Sequence, residues 1–149
     1  MNSRAFGVPF REIPWTEIAS RFTELAALHP HFQHMADIAS SVIARHATTA
    51  LAAHTSMHDL VVAKRPLPTE SPIDVVIVKS LSSHRGYVAP GWVVIEHLST
   101  TGHDDQITRP SDQAVPLFWR FMAEKFAITS LAEDLSDSRS TSGSGSSFL

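Results

Sequence analysis

Apolar positions along the chain fall into two rhythms. From Pro14 to Leu28 the residues Trp15, Ile18, Phe22, Leu25 and Leu28 recur at intervals of three and four, which aligns them on one side of a helix. Pro14 suits a first helical turn, and Pro30 drives His29 out of helical geometry, so this helix is predicted to end at Leu28. Pro30 can open a second helix, predicted to run to about Thr55, with Phe32, Met35, Ala36, Ala39, Val42, Ile43 and Ala50 on its apolar stripe. Projection at 100 degrees per residue places His46 and His54 inside that stripe and leaves His31 and His34 off its centre. The short link between the two helices favours an antiparallel hairpin.

The rhythm then changes to one suited to strands. "DLVVAK" (59–64) fits a strand or a last extension of the helix, its paired valines favouring the strand; "IDVVIVKSL" (73–81) and "WVVIEHL" (92–98) are rich in β-branched residues, and the three prolines of "RPLPTESP" mark the loop between the first two. "SSHRGYVAPG" has the length and the glycines of a hairpin connection, so 73–81 and 92–98 are expected to pair antiparallel. Alternation along 92–98 sends Glu96 and His97 to opposite faces. Both faces are mostly apolar, so the sheet should be covered on both sides. "TTGHDD" reads as a turn, with Gly102 adopting a backbone geometry that other residues avoid.

A last helical segment, "VPLFWRFMAEKFAI" (115–128), carries Leu117, Phe118, Phe121, Met122 and Ile128 on one face and Trp119 and Phe126 on another. Only Arg120, Glu124 and Ala127 remain as a wet strip, so this helix should be buried between layers or against a second subunit. The predicted order is α-α-β-β-β-α. It describes an α+β fold: a small, mainly antiparallel sheet of about three strands packed by an N-terminal helical hairpin and a C-terminal aromatic-rich helix. A single domain over residues 14–128 is expected, preceded by an arm (1–13) and followed by a flexible tail (129–149), whose Ser- and Gly-rich sequence has no apolar area to offset the entropy of ordering it.

Composition narrows the chemistry. Charged residues make up 18% of the chain, below the usual quarter or so, and polarity is carried instead by Ser, Thr and nine His. Charge should therefore change strongly as imidazoles protonate at about pH 6. The absence of cysteine excludes disulfides, thiolate zinc sites and a thiol nucleophile. No apolar run is long enough for a membrane span or secretory signal, which makes a soluble, cytoplasmic protein the expectation. A net charge of −3 and the lack of a basic stripe argue against nucleic acid. Gly7, Gly86, Gly91 and Gly102 are too scattered for a phosphate cradle, so neither nucleotides nor any other cofactor is expected.

Metal binding has little support. His46 and His54 would stand about 12 Å apart on one helix, and "HTSMH" has the i, i+4 histidines of a zinc motif without its glutamate. Acid–base chemistry needs only one buried titratable group beside a pocket. His97, Glu96 and His54 are the candidate catalytic residues, acting on a small, largely apolar molecule in an isomerisation, hydration or cyclisation. The alternative is a non-catalytic protein that associates with itself or a partner through residues 117–128.

Overall fold

The computed structural model describes residues 10–70, 72–81, 83 and 85–128. The expected tail at 129–149 and most of the expected arm lie outside the described residues. The fold is α+β: three helices and a five-stranded antiparallel sheet, in the order α1 (Trp15–Leu28), α2 (Gln33–Ala44), β1 (Leu51–Ser56), β2 (Asp59–Lys64), β3 (Val75–Lys79), β4 (Trp92–Leu98), β5 (Asp105–Pro110) and α3 (Ala114–Phe126). Strands follow one another across the sheet in chain order, each antiparallel to the last.

The first helix and the pairing of β3 with β4 are as the sequence patterns indicate. Two strands beyond the three expected come from segments with other apparent destinies. The second helix does not reach Thr55 but stops at Ala44, where the chain turns left-handed at His46 (φ 59°). The amide of Ala47 then donates to Val42 O at 3.0 Å and that of His46 to Ile43 O at 3.1 Å. This is the paired closure of a Schellman motif, built on histidine in the place usually held by glycine. His46 is exposed, and His54 lies on β1 instead of a helix stripe.

β1, "LAAHTS", is made of residues with little strand preference and is held by its register with β2, from Leu51 opposite Lys64 to Ser56 opposite Asp59. Cross-strand pairing and burial override propensity here. β5, "DQITRP", is the polar strand at the other edge, with Ile107 as its one apolar non-proline residue.

The three helices cover one sheet face. Leu51, Ala53, Leu60, Val62, Val76, Val78, Val93 and Ile95 meet Ile18, Phe22, Met35, Ile38, Phe118, Phe121 and Met122 there. Each of the fully buried large side chains contributes roughly 1.5–3 kcal/mol. Two indole N–H groups fix the helices: Trp15 Nε1 donates to Leu51 O at 2.8 Å, and Trp119 Nε1 donates to Ser41 Oγ at 2.9 Å. Arg45 covers the Trp119 ring from 4.6 Å. Trp119 and Phe126 are therefore buried in the same chain as Phe118 and Phe121, while Arg120, Glu124 and Ala127 are exposed. The aromatic face of residues 117–128 is buried in the chain's own core.

The other face buries Val61, Ala63, Val75, Ile77 and Leu98 against Ile73, with Phe10 and Leu67 packed on them. The strands β1 and β2 join through a two-residue turn, Met57–His58, in which both residues have positive φ (50° and 70°). Such turns match the twist of a hairpin and favour Asn-Gly, because side chains with a full Cβ are strained in that region. Replacing Met57–His58 by Asn-Gly is expected to raise the unfolding free energy by about 1–2 kcal/mol, read as a higher urea midpoint at unchanged m-value.

Candidate functional site

Glu96 and His97 leave β4 on opposite faces, as the alternation requires. Glu96 lies on the face away from the helices, opposite Ile77 and Gln106, and is 3% exposed. Its Oε1 is 3.2 Å from Nζ of Lys79, itself buried. The ammonium also donates to Arg85 O at 2.9 Å and to Gln106 Oε1 at 3.1 Å, so all three of its N–H groups have acceptors. Asp59, at the next register position, extends this polar belt: it accepts from Ser80 N (2.8 Å), Ser80 Oγ (3.1 Å) and Ser83 Oγ (2.7 Å). Burial raises its pKa above the ordinary carboxylate value, against the pull of those hydrogen bonds. These groups hold the sheet to the loop after β3. Their acceptors and donors are engaged with one another.

His97 lies on the helix side, between Val76 and Asp105, with Phe126 edge-on to its ring at a centroid distance of 6.2 Å. It is 8% exposed, and neither ring nitrogen has a hydrogen-bond partner. Burial lowers its pKa, opposed by Asp74, Asp104 and Asp105 and assisted by Lys125. Phe126, Lys125 and Asp74 also line an open hollow of about 440 Å³ with Lys64, Arg65 and Thr100. The neutral imidazole beside it is able to accept a proton, but its ring is not part of that lining.

His54 stands half-buried on β1, on the same face as Glu96. Its Nδ1 donates to Arg11 O at 3.0 Å, and Phe10 packs on the ring at 5.5 Å. Two strands, represented by Val61 and Ile77, separate it from Glu96, a gap of about 14 Å across the sheet. The three sequence candidates therefore do not converge: one faces the helices, and the other two are at distant points of the opposite face.

Two other places gather chemistry that the sequence reading passed over. An open groove of about 350 Å³ lies between α1 and the β1–β2 turn, lined by Arg21, Phe22, Glu24, Leu25, Leu28, Thr55 and His58. Leu28 is 76% exposed and Met57, beside His58 in the turn, 57% exposed. The rings of His31 and His58 lie 4.8 and 5.5 Å from Phe32, beneath this region. The second place is a hollow of about 200 Å³ bounded by His34, Asp37, Leu81, Trp92 and Asp112. Burial of His34 lowers its pKa to about 4, Asp37 opposing and His31 adding to the effect, and its Nε2 has no hydrogen-bond partner. The helix's own periodicity puts His34 off the apolar stripe, and the hollow it lines with Leu81 and Trp92 is formed by residues distant in sequence.

Among the described residues no group of three His, Cys, Asp or Glu is placed to hold a metal ion, and no helix is long and apolar enough to cross a membrane. No protein-family model, curated protein or solved structure matches the chain.

Two measurements follow from these environments. Glu96→Gln leaves the Lys79 ammonium buried without its counter-charge and is expected to lower stability by about 3–5 kcal/mol, whereas Lys79→Met with Glu96→Leu together should recover most of that loss in urea denaturation. For His34 and His97 the folded-state pKa is below the unfolded value of 6.5. Between the two values the unfolded chain binds protons that the folded chain does not, so stability is complete above pH 6.5 and falls as the pH drops toward 4. Between about pH 7.5 and about pH 5 the His34 contribution is expected to be roughly 2 kcal/mol, and His34→Gln should flatten the profile by that amount. Equal slopes in the two proteins would mean that the ring is solvated.

Proposed function

We propose that this chain binds a small, largely apolar molecule in the groove between α1 and the β1–β2 turn. The observation that carries this reading is the turn itself. A two-residue connection that favours Asn-Gly is occupied by Met57 and His58, both left-handed, with His58 lining the groove and Met57 standing exposed beside it. Strain of this kind persists where a side chain is needed, and residues that break a local rule mark candidate functional positions.

The groove has the features of a ligand site. Its floor is Phe22, its walls are Leu25 and Leu28, and a few polar groups (Arg21, Glu24, Thr55, His58) are positioned to orient what enters. Leu28 exposes three quarters of its surface at the lip, apolar area that a ligand would remove from water at about 25 cal/mol per Å². His58 is the titratable ring within reach of a bound molecule. Acid–base chemistry, where it accompanies binding, belongs to that ring in this reading, because Glu96 and His54 are hydrogen-bonded elsewhere and His97 lies outside the groove's lining.

Fluorescence titration with an anilinonaphthalene sulfonate dye tests the proposal. The wild-type chain should bind it saturably, and Leu28→Glu or Met57→Asp should each weaken binding at least about tenfold, equivalent to about 1.4 kcal/mol. The Asn-Gly turn variant should also bind more weakly despite its higher stability. Binding that is absent, or is unchanged in all three variants, would refute the groove as the site.

A further inference from the structure

The outer edge of β5 is the one long stretch of strand backbone among the described residues that no neighbouring segment covers. At the opposite edge, the amide of Ile13 bonds to Ala53 O at 2.8 Å and Arg11 reaches His54, so β1 is overlaid by the chain that leads into α1. Among the described residues no such segment lies on β5, whose Gln106, Thr108 and Arg109 are exposed.

The direction of its backbone groups follows from one hydrogen bond. Ser111 N donates inward to Gly91 O at 2.8 Å, continuing the register in which Trp92 faces Pro110. Amide and carbonyl directions alternate along a strand. Arg109, Ile107 and Asp105 therefore point their backbone groups at β4, and Gln106 and Thr108 point theirs outward. In the single chain the outward groups are partly capped by neighbours. The Arg109 guanidinium donates to Thr108 O at 2.9 Å, and the Asp105 carboxylate accepts from the Gln106 amide. Thr108 N–H and Gln106 C=O have no such cap.

We infer that a second copy of this chain pairs with β5 antiparallel, about a two-fold axis through Ile107, joining two five-stranded sheets into one. The sequence "DQITRP" is self-complementary in that register. Gln106 meets Thr108 of the other copy, and each pair exchanges two backbone hydrogen bonds, using the outward groups of both strands. Asp105 meets Arg109 in the closely spaced, non-hydrogen-bonded positions where side chains approach best. Both lie on the helix side of the sheet, with Ile107 meeting Ile107 between them.

Neighbouring registers fit less well. Centring on Gln106 puts Asp105 against Ile107 and leaves Arg109 beyond the pair. Centring on Thr108 sets Gln106 against Pro110, which has no N–H to give.

The side chains are available for the exchange. Asp105 is 43% exposed and engages Lys125 through Oδ2 at 2.9 Å. Arg109 borders an open hollow of about 210 Å³ with Gln113, Pro116, Leu117 and Arg120. On pairing, the Gln106 amide of the second copy takes over Thr108 O, and the released guanidinium turns to the carboxylate across the axis. The caps of the single chain and the contacts of the pair compete, which makes the association reversible and dependent on concentration.

Thr108→Pro tests this directly. It removes an outward N–H and nothing that β4 uses, a substitution an edge strand tolerates. Sedimentation velocity of the full chain at about 100 μM should show a dimer for the wild type and a monomer for Thr108→Pro, with the same far-UV circular dichroism and, at a dilution where both are monomers, a similar urea midpoint. Arg109→Asp, which sets like charges opposite each other, should raise the dimer dissociation constant at least tenfold. A wild-type chain that stays monomeric at that concentration overturns the inference and leaves the edge to an extended segment of another protein. A Thr108→Pro chain that dimerises as well as the wild type overturns it too, placing the contact elsewhere.

Discussion

A sheet with two apolar faces has to be closed twice, and the described residues supply helices enough for one closure. α1, α2 and α3 form a single layer over one side, tied to the sheet and to each other by the indole N–H groups of Trp15 and Trp119. The other side is closed by irregular chain, which brings polar backbone and charged side chains where a helix would bring hydrocarbon. Lys79 and Glu96 are the result. Their burial is tolerable because every ammonium proton has an acceptor, one of them a carbonyl of the covering loop. The ion pair thus fastens the covering loop to the sheet, and its residues serve the fold before any chemistry.

How much of this was legible in the sequence depends on whether the deciding force was local. α1, α3 and the β3–β4 pair have unbroken periodicity, and alternation alone separated Glu96 from His97. The end of α2 was not legible, because its left-handed closing residue is His46 where a glycine would have announced it. β1 is alanine-rich and became a strand only through its partner. β5 has one apolar non-proline residue because an edge strand is half wet, so its periodicity carried no signal. Site residues follow the same division. The histidines chosen for predicted burial on a helix came out on a strand or in solvent, while His34 lines a hollow with Leu81 and Trp92, some fifty residues away in sequence.

The groove at the β1–β2 turn shows a conflict between levels that is carried by two adjacent residues. Gly86, Gly91 and Gly102 take positive φ with the residue suited to it, and His46 and Ala127 each take it singly just after a helix. At Met57–His58 the backbone demands the same geometry and the sequence supplies large side chains, next to an α1 whose Leu28 is left in water. Both departures from economy of folding occur at one place, and they concern side chains that add little to the core. That coincidence is what separates the groove from the other surface hollows.

The order of the strands also governs how the molecule is made. Each strand finds its partner in the segment synthesised just before it, so the sheet can grow by short loop closures that have a modest entropic barrier. The exception is α3, whose Trp119 reaches back 78 residues to Ser41. Until that helix leaves the ribosome, Val93 and Ile95 lack its cover on their side of the sheet. The nascent protein therefore passes through an interval with a greasy flank open, in which a chaperone would have most to hold.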